Sequence, residues 1–278
     1  GTDYVAYLAG LDAMAHTHRG ELWPYLQRFD AMLARVADSL DARGTPAELW
    51  LVSDHGNAGG FVEGAREHYL KTVSMDGAIR RAGLTVGDTG RLDRTDQVAV
   101  VTMALATMIN VYFADLGRRR AFAKSALAEP GVDLVTWLEV TDGDRYVAIV
   151  NTGGEARLRW SGSTYSYERI RGNPLAIPDS LTSAPGARRW IPDPLLRAAT
   201  VWGPYPDAPF RLVQSAMKQV ENAPDLIVNL RDGYSHRGNL GRFAQMVRTH
   251  GSLGARASLG VIATSARPVH SPVRSDEV

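Results

Sequence analysis

The stretch ELWLVSDHGNAGG, residues 48–60, runs from an apolar segment of strand length straight into Asp54, His55 and Gly56. Residues 48–53 read as a buried strand. A carboxylate and an imidazole are costly to bury without partners, so their place just beyond a strand sets the fold reading. Upstream, Leu26, Phe29, Leu33, Val36 and Leu40 recur at spacings of three and four. That spacing predicts an amphipathic helix over residues 25–40, ended near Gly44 and Pro46. Before it, YVAYLAGL (residues 4–11) has strand length and is followed by Asp12. Strand, helix, strand predicts a right-handed parallel crossover. Open α/β sheets bind ligands beyond the carboxyl ends of their strands, and Asp12 and Asp54-His55 both fall there.

Further along, helical patterns are expected at residues 74–83 and 95–108. A βαβ-like unit follows in MINVYFAD, a helix over 117–128, and VDLVTWLEV. Residues 145–171 alternate in short runs broken by glycine turns, the pattern of antiparallel ribbon. Residues 172–210 read as a long irregular connection, before a helix at 207–220, the strand PDLIVNL and a last strand at 257–265. The fold class is therefore α/β, a sheet core flanked by helices and built from residues 1–85 and 205–278. Residues 86–204 are read as inserted and include an α+β subdomain; residues near 110–171 are expected to pack beside the sheet and supply no metal ligand. Trp137, Trp160, Trp190 and Trp202 are expected in core or ribbon packing.

Composition narrows the function classes. With 45% apolar and 22% charged residues over 278 positions, the chain reads as a globular protein. A formal charge of +1 gives no global attraction to nucleic acid or an anionic membrane. Arg118-Arg119-Arg120 reads as a solvated helix face. The absence of cysteine excludes disulfides, thiolate zinc ligands and a cysteine nucleophile. No apolar run approaches the roughly 20 residues that span a bilayer, and no signal peptide is evident. The first residue is Gly1 rather than Met, so the native N-terminus is expected upstream and the localisation stays open.

The chemistry-bearing residues form a pattern. Asp12 and His16 are four apart, so a helix would place both on one face, able to chelate one ion. Asp54 and His55 can ligate another if the turn aims them alike, which the following glycines permit. THGSLG, residues 249–254, adds His250 ahead of the last apolar segment. His18 and His68 read as exposed polar residues; His236 with Arg237 reads first as part of a simple loop, with a phosphate contact as the alternative.

LDAMAHTHRG, LVSDHGNAGG and RTHGSLG resemble, in order, three metal-binding motifs of the alkaline phosphatase superfamily, with PDLIVNLRDGYSHRG similar to the strand and turn before the last of them. The similarity is greatest to the nucleotide pyrophosphatase/phosphodiesterase type. It implies an alkaline phosphatase-like fold with two divalent ions, zinc by preference. Asp12, His16 and His250 would hold one ion, and Asp54 and His55 the other. It implies hydrolysis of a small phosphoester or nucleotide-like substrate. The first two motifs also resemble those of cofactor-independent phosphoglycerate mutase, a phosphotransferase, and a non-catalytic metal-binding relative is a third reading. The family's nucleophile precedes the Asp-x-x-x-His motif and is not found in this chain. Residues 1–278 alone are therefore expected to turn over phosphate esters poorly.

Overall fold

Strand-forming residues dominate the middle of the chain, and the structure gathers them into one nine-stranded mixed sheet. It is a computed structural model describing residues 5–6, 9–17, 22–59, 62–63, 66–102, 107–141, 143–217, 220–236, 246–266, 268–269, 272–274 and 277. In order across the sheet lie Ile191–Pro192, Thr164–Arg171, Gly154–Ser161, Asp144–Asn151, Val132–Thr141, Leu226–Leu230, Met108–Phe113, Gln97–Thr102 and Thr85–Val86. Neighbours are antiparallel except Thr85–Val86, which runs parallel to Gln97 and Val98.

Helices cover both faces. On one, Phe122, Ala123 and Ala126 of helix Arg119–Ala126 pack with Val111, Val135 and Val228. On the other, Leu212 and Val213 of helix Ala208–Ala216 pack with Leu134, Ile149 and Leu158. A strand buried on both sides needs apolar residues on both, which is why VDLVTWLEV reads as a continuous run. Full burial of a side chain such as Phe122 contributes about 1.5–3 kcal/mol.

The expected βαβ-like unit forms its three elements, but its strands are not neighbours. Leu226–Leu230 lies between Met108–Phe113 and Val132–Thr141, antiparallel to both. Leu226, Val228 and Leu230 are at most 1% exposed, and a strand buried this fully takes a central position. The ribbon expected at 145–171 is present as three antiparallel strands.

Elsewhere the expectations need correction. Apart from Thr85–Val86 and Leu226–Leu230, the large sheet comes from residues 86–204, so the main sheet is not built by the two ends of the chain. Residues 97–102, within an expected helix, form a strand because β-branched Val98, Val100 and Val101 pack on a pleated surface. Of the strand expected at 4–11, residues 4 and 7–8 lie outside the described residues, and Ala9–Leu11 open helix Ala9–Thr17 instead. Asp12 sits in that helix's first turn, where a carboxylate suits the exposed N–H groups. The strand expected at 48–53 is Trp50–Val52, paired antiparallel with Ile262–Thr264 rather than in a parallel crossover. Part of the strand expected at 257–265 is helix, Ala255–Ser258. Helix Trp23–Ala42 spans the expected 25–40, yet none of its residues is buried. Trp137 is buried as expected, whereas Trp190 and Trp202 are exposed. Among the described residues, no helix is long and apolar enough to cross a membrane.

Candidate metal centre

Small elements outside the large sheet bring the nominated side chains together. Helix Ala9–Thr17 presents Asp12 and His16 one turn apart. Its end is tied to the segment before His250: Val247 N–H donates to the His16 carbonyl at 2.8 Å, and His16 Nδ1 donates to the Arg248 carbonyl at 2.8 Å. Arg248 and Thr249 in turn pair with Gly59 and Ala58, just beyond His55. Gly56 allows the remaining approach. A Cβ there would collide with the carbonyl oxygens of Arg256 and Leu259, so only glycine lets the His55 turn lie against that segment.

Asp12, His55 and His250 each offer a ligand atom, and these atoms all lie within 4.8 Å of one another. His16 stands beside them, with Nε2 3.4 Å from Asp12 Oδ2. His55 Nε2 is 4.0 Å from Asp12 Oδ1 and 3.5 Å from Asp54 Oδ1. The His55 and His250 rings stack with centroids 3.5 Å apart, and His16 and His250 are 5.2 Å apart. All five nominated residues therefore converge. The grouping in space joins His55 to Asp12 and His250, whereas the family resemblance pairs His55 with Asp54 alone.

The protonation of two rings follows from their partners. A carbonyl only accepts, so His16 Nδ1, held by Arg248, and His55 Nδ1, held 2.8 Å from the Gly56 carbonyl, both carry hydrogen. In the neutral rings each Nε2 then keeps its lone pair, directed at carboxylate oxygens. Such tying of the far ring nitrogen is the usual support of a metal-ligating histidine. Lone pairs facing carboxylates without hydrogen between them repel one another. His16 Nε2 is in addition buried with no hydrogen-bond partner, a costly arrangement. A cation among these atoms would resolve both problems. Ligand atoms around a tetrahedral zinc with bonds of 2.0–2.1 Å lie about 3.3 Å apart; His55 Nε2 and Asp12 Oδ1 are 4.0 Å apart and the atoms of all three residues lie within 4.8 Å, so a bound ion would draw them somewhat closer. The donor set, nitrogens with carboxylate oxygens, suits zinc.

Burial first, and then positive charge on the His55 and His16 rings whenever they are protonated, lowers the His250 pKa below its usual 6.5, against the pull of Asp12 and Asp54. The unfolded chain then takes up a proton at His250 before the folded one does. This contribution to stability is complete above pH 6.5 and is lost as the pH falls from there towards the lowered folded value. In metal-free protein, His250 is expected to titrate below 6.5 by NMR, with unfolding becoming easier over that interval. A His250 that titrates above 6.5 would contradict this account.

His236 takes no part in these contacts and is paired in register with Val73. Burial lowers its pKa, and its Nδ1 has no hydrogen-bond partner. His18 and Arg237 lie outside the described residues. Sequence reasoning missed Thr107, which is 1% exposed and holds the His250 main chain. Its role is through backbone contact, which leaves no trace in residue spacing.

Comparison with protein-family models, with curated proteins and with solved structures found no match to this chain.

Proposed function

We propose that the chain is a metal-dependent phosphoric ester hydrolase of the alkaline phosphatase type, acting on a small phosphoester or nucleotide-like substrate. The observation that carries this reading is the convergence of Asp12, His55 and His250, with His16 and Asp54 beside them. Zinc is the proposed ion. Asp12, His55 and His250 would hold the first, and the resemblance in the three motifs implies a second ion. When bound, the metal supplies positive charge opposite a phosphoryl oxygen, where negative charge grows in the transition state. The protein's part is to fix the donors: Arg248 and Gly56 carbonyls hold the rings of His16 and His55, and the helix holds Asp12 facing both. Asp54, with a side chain 61% exposed and its Oδ1 3.5 Å from His55 Nε2, stands at the solvent side as the proposed ligand of the second ion.

Hydrolysis of bis(4-nitrophenyl) phosphate tests this. A weak release of nitrophenolate is expected, lost on treatment with chelator and restored by zinc. Release that is indifferent to chelator would contradict it. Tight zinc binding with no release from any nitrophenyl phosphate would favour the non-catalytic metal-binding reading.

A further inference from the structure

We infer that Thr107 is the positioning residue of the metal centre, fastening His250 to the large sheet. The inference rests on the metal-binding reading of Asp12, His55 and His250. The Thr107 main-chain N–H donates to the His250 carbonyl at 2.7 Å, and the Thr107 hydroxyl donates to the same oxygen at 2.8 Å. One carbonyl oxygen with two lone pairs is thus satisfied twice by one residue.

Thr107 is itself fixed. It is 1% exposed, and its own carbonyl accepts the Leu230 N–H at 2.9 Å. It immediately precedes strand Met108–Phe113, where Met108 pairs with Asn229. Thr107 therefore sits at the joined ends of two central strands. Asp12 and His55, by contrast, are carried by a helix and a turn outside that sheet. The residue after His250, Gly251, has φ of +94°. This left-handed conformation is one that glycine takes without strain, so it does not by itself hold His250 in place. The two hydrogen bonds from Thr107 supply that restraint, and so set where the His250 ring lies relative to Asp12 and His55.

The test compares Thr107→Val and Thr107→Ser. Valine keeps the shape and the main-chain N–H but removes the hydroxyl; serine keeps the hydroxyl. Zinc affinity, measured by competition with a chelator, is expected to fall roughly 10–100-fold in Thr107→Val, the usual cost of losing a group that supports a ligand. Thr107→Ser should return it to within a few-fold of the unmodified protein. Equal affinity in all three proteins, or equal loss in the two variants, would overturn the inference. A second readout is independent of metal: the His250 carbonyl carbon resonance should move in Thr107→Val and return in Thr107→Ser. If the unmodified protein binds no zinc, the metal reading fails. An unmoved resonance overturns the restraint itself.

Discussion

Replacing His55 by alanine is expected to lower zinc affinity by well over the roughly 100-fold upper cost of losing a supporting group. His55 faces both Asp12 and Asp54 and stacks on His250, so on the proposed reading its loss removes a ligand and a wall of the site together. Asp54→Ala should cost much less, because its carboxylate is the more exposed and lies outside the group of three. The order of the two variants discriminates between arrangements. If His55 and Asp54 served one ion by themselves, their replacement would cost similar amounts and leave an ion at Asp12 and His250 undisturbed. Chelator competition on both variants, with circular dichroism to confirm folding, decides it. Equal losses would contradict the spatial grouping.

The second large effect concerns stability. Arg159 and Glu168 are 4% and 3% exposed, on adjacent strands. Arg159 Nη1 donates to Glu168 Oε2 at 2.6 Å, while its Nε and Nη2 donate to Asp144 at 2.9 and 2.7 Å. Burial alone would push the Glu168 carboxyl up. The Gly186 N–H and the Arg159 guanidinium outweigh it and hold the carboxyl below its usual range. Arg159→Met would leave that carboxylate buried and half-satisfied. A loss of about 3–5 kcal/mol is expected, as for other buried pairs broken on one side. The double variant Arg159→Met/Glu168→Met should lose less than the single one, since no unpaired charge remains. Urea unfolding measures both. A single variant within about 0.5 kcal/mol of the parent, the scale of ordinary surface changes, would show that the pair is not satisfied as described.

The candidate site was legible because its chemistry lies in short motifs. Asp12 and His16 share a helical face through local spacing, and Asp54-His55-Gly56 lies at the end of a strand in both the reading and the structure. The larger architecture was less legible. LIVNL contains nothing to say that it enters the sheet between Met108–Phe113 and Val132–Thr141, because its partners lie far away in sequence. QVAVVT suits either an apolar helix or a buried strand by hydropathy, and only its β-branched residues favour the strand that forms. Trp50–Val52 has the composition of an interior strand, yet all three residues are exposed, so an apolar run alone misplaced the sheet. Nor does sequence spacing reveal that His55 faces Asp12, since the turn at Gly56 sets that direction.

The most direct test of the metal centre is a zinc titration of the unmodified chain, with the imidazole nitrogens of every histidine followed by NMR. The account predicts saturable binding in which the ring nitrogens of His55 and His250 shift together with the first equivalent. His236, which lies outside the cluster, should stay unmoved. Rings of His55 and His250 that still titrate freely in saturating zinc would contradict it.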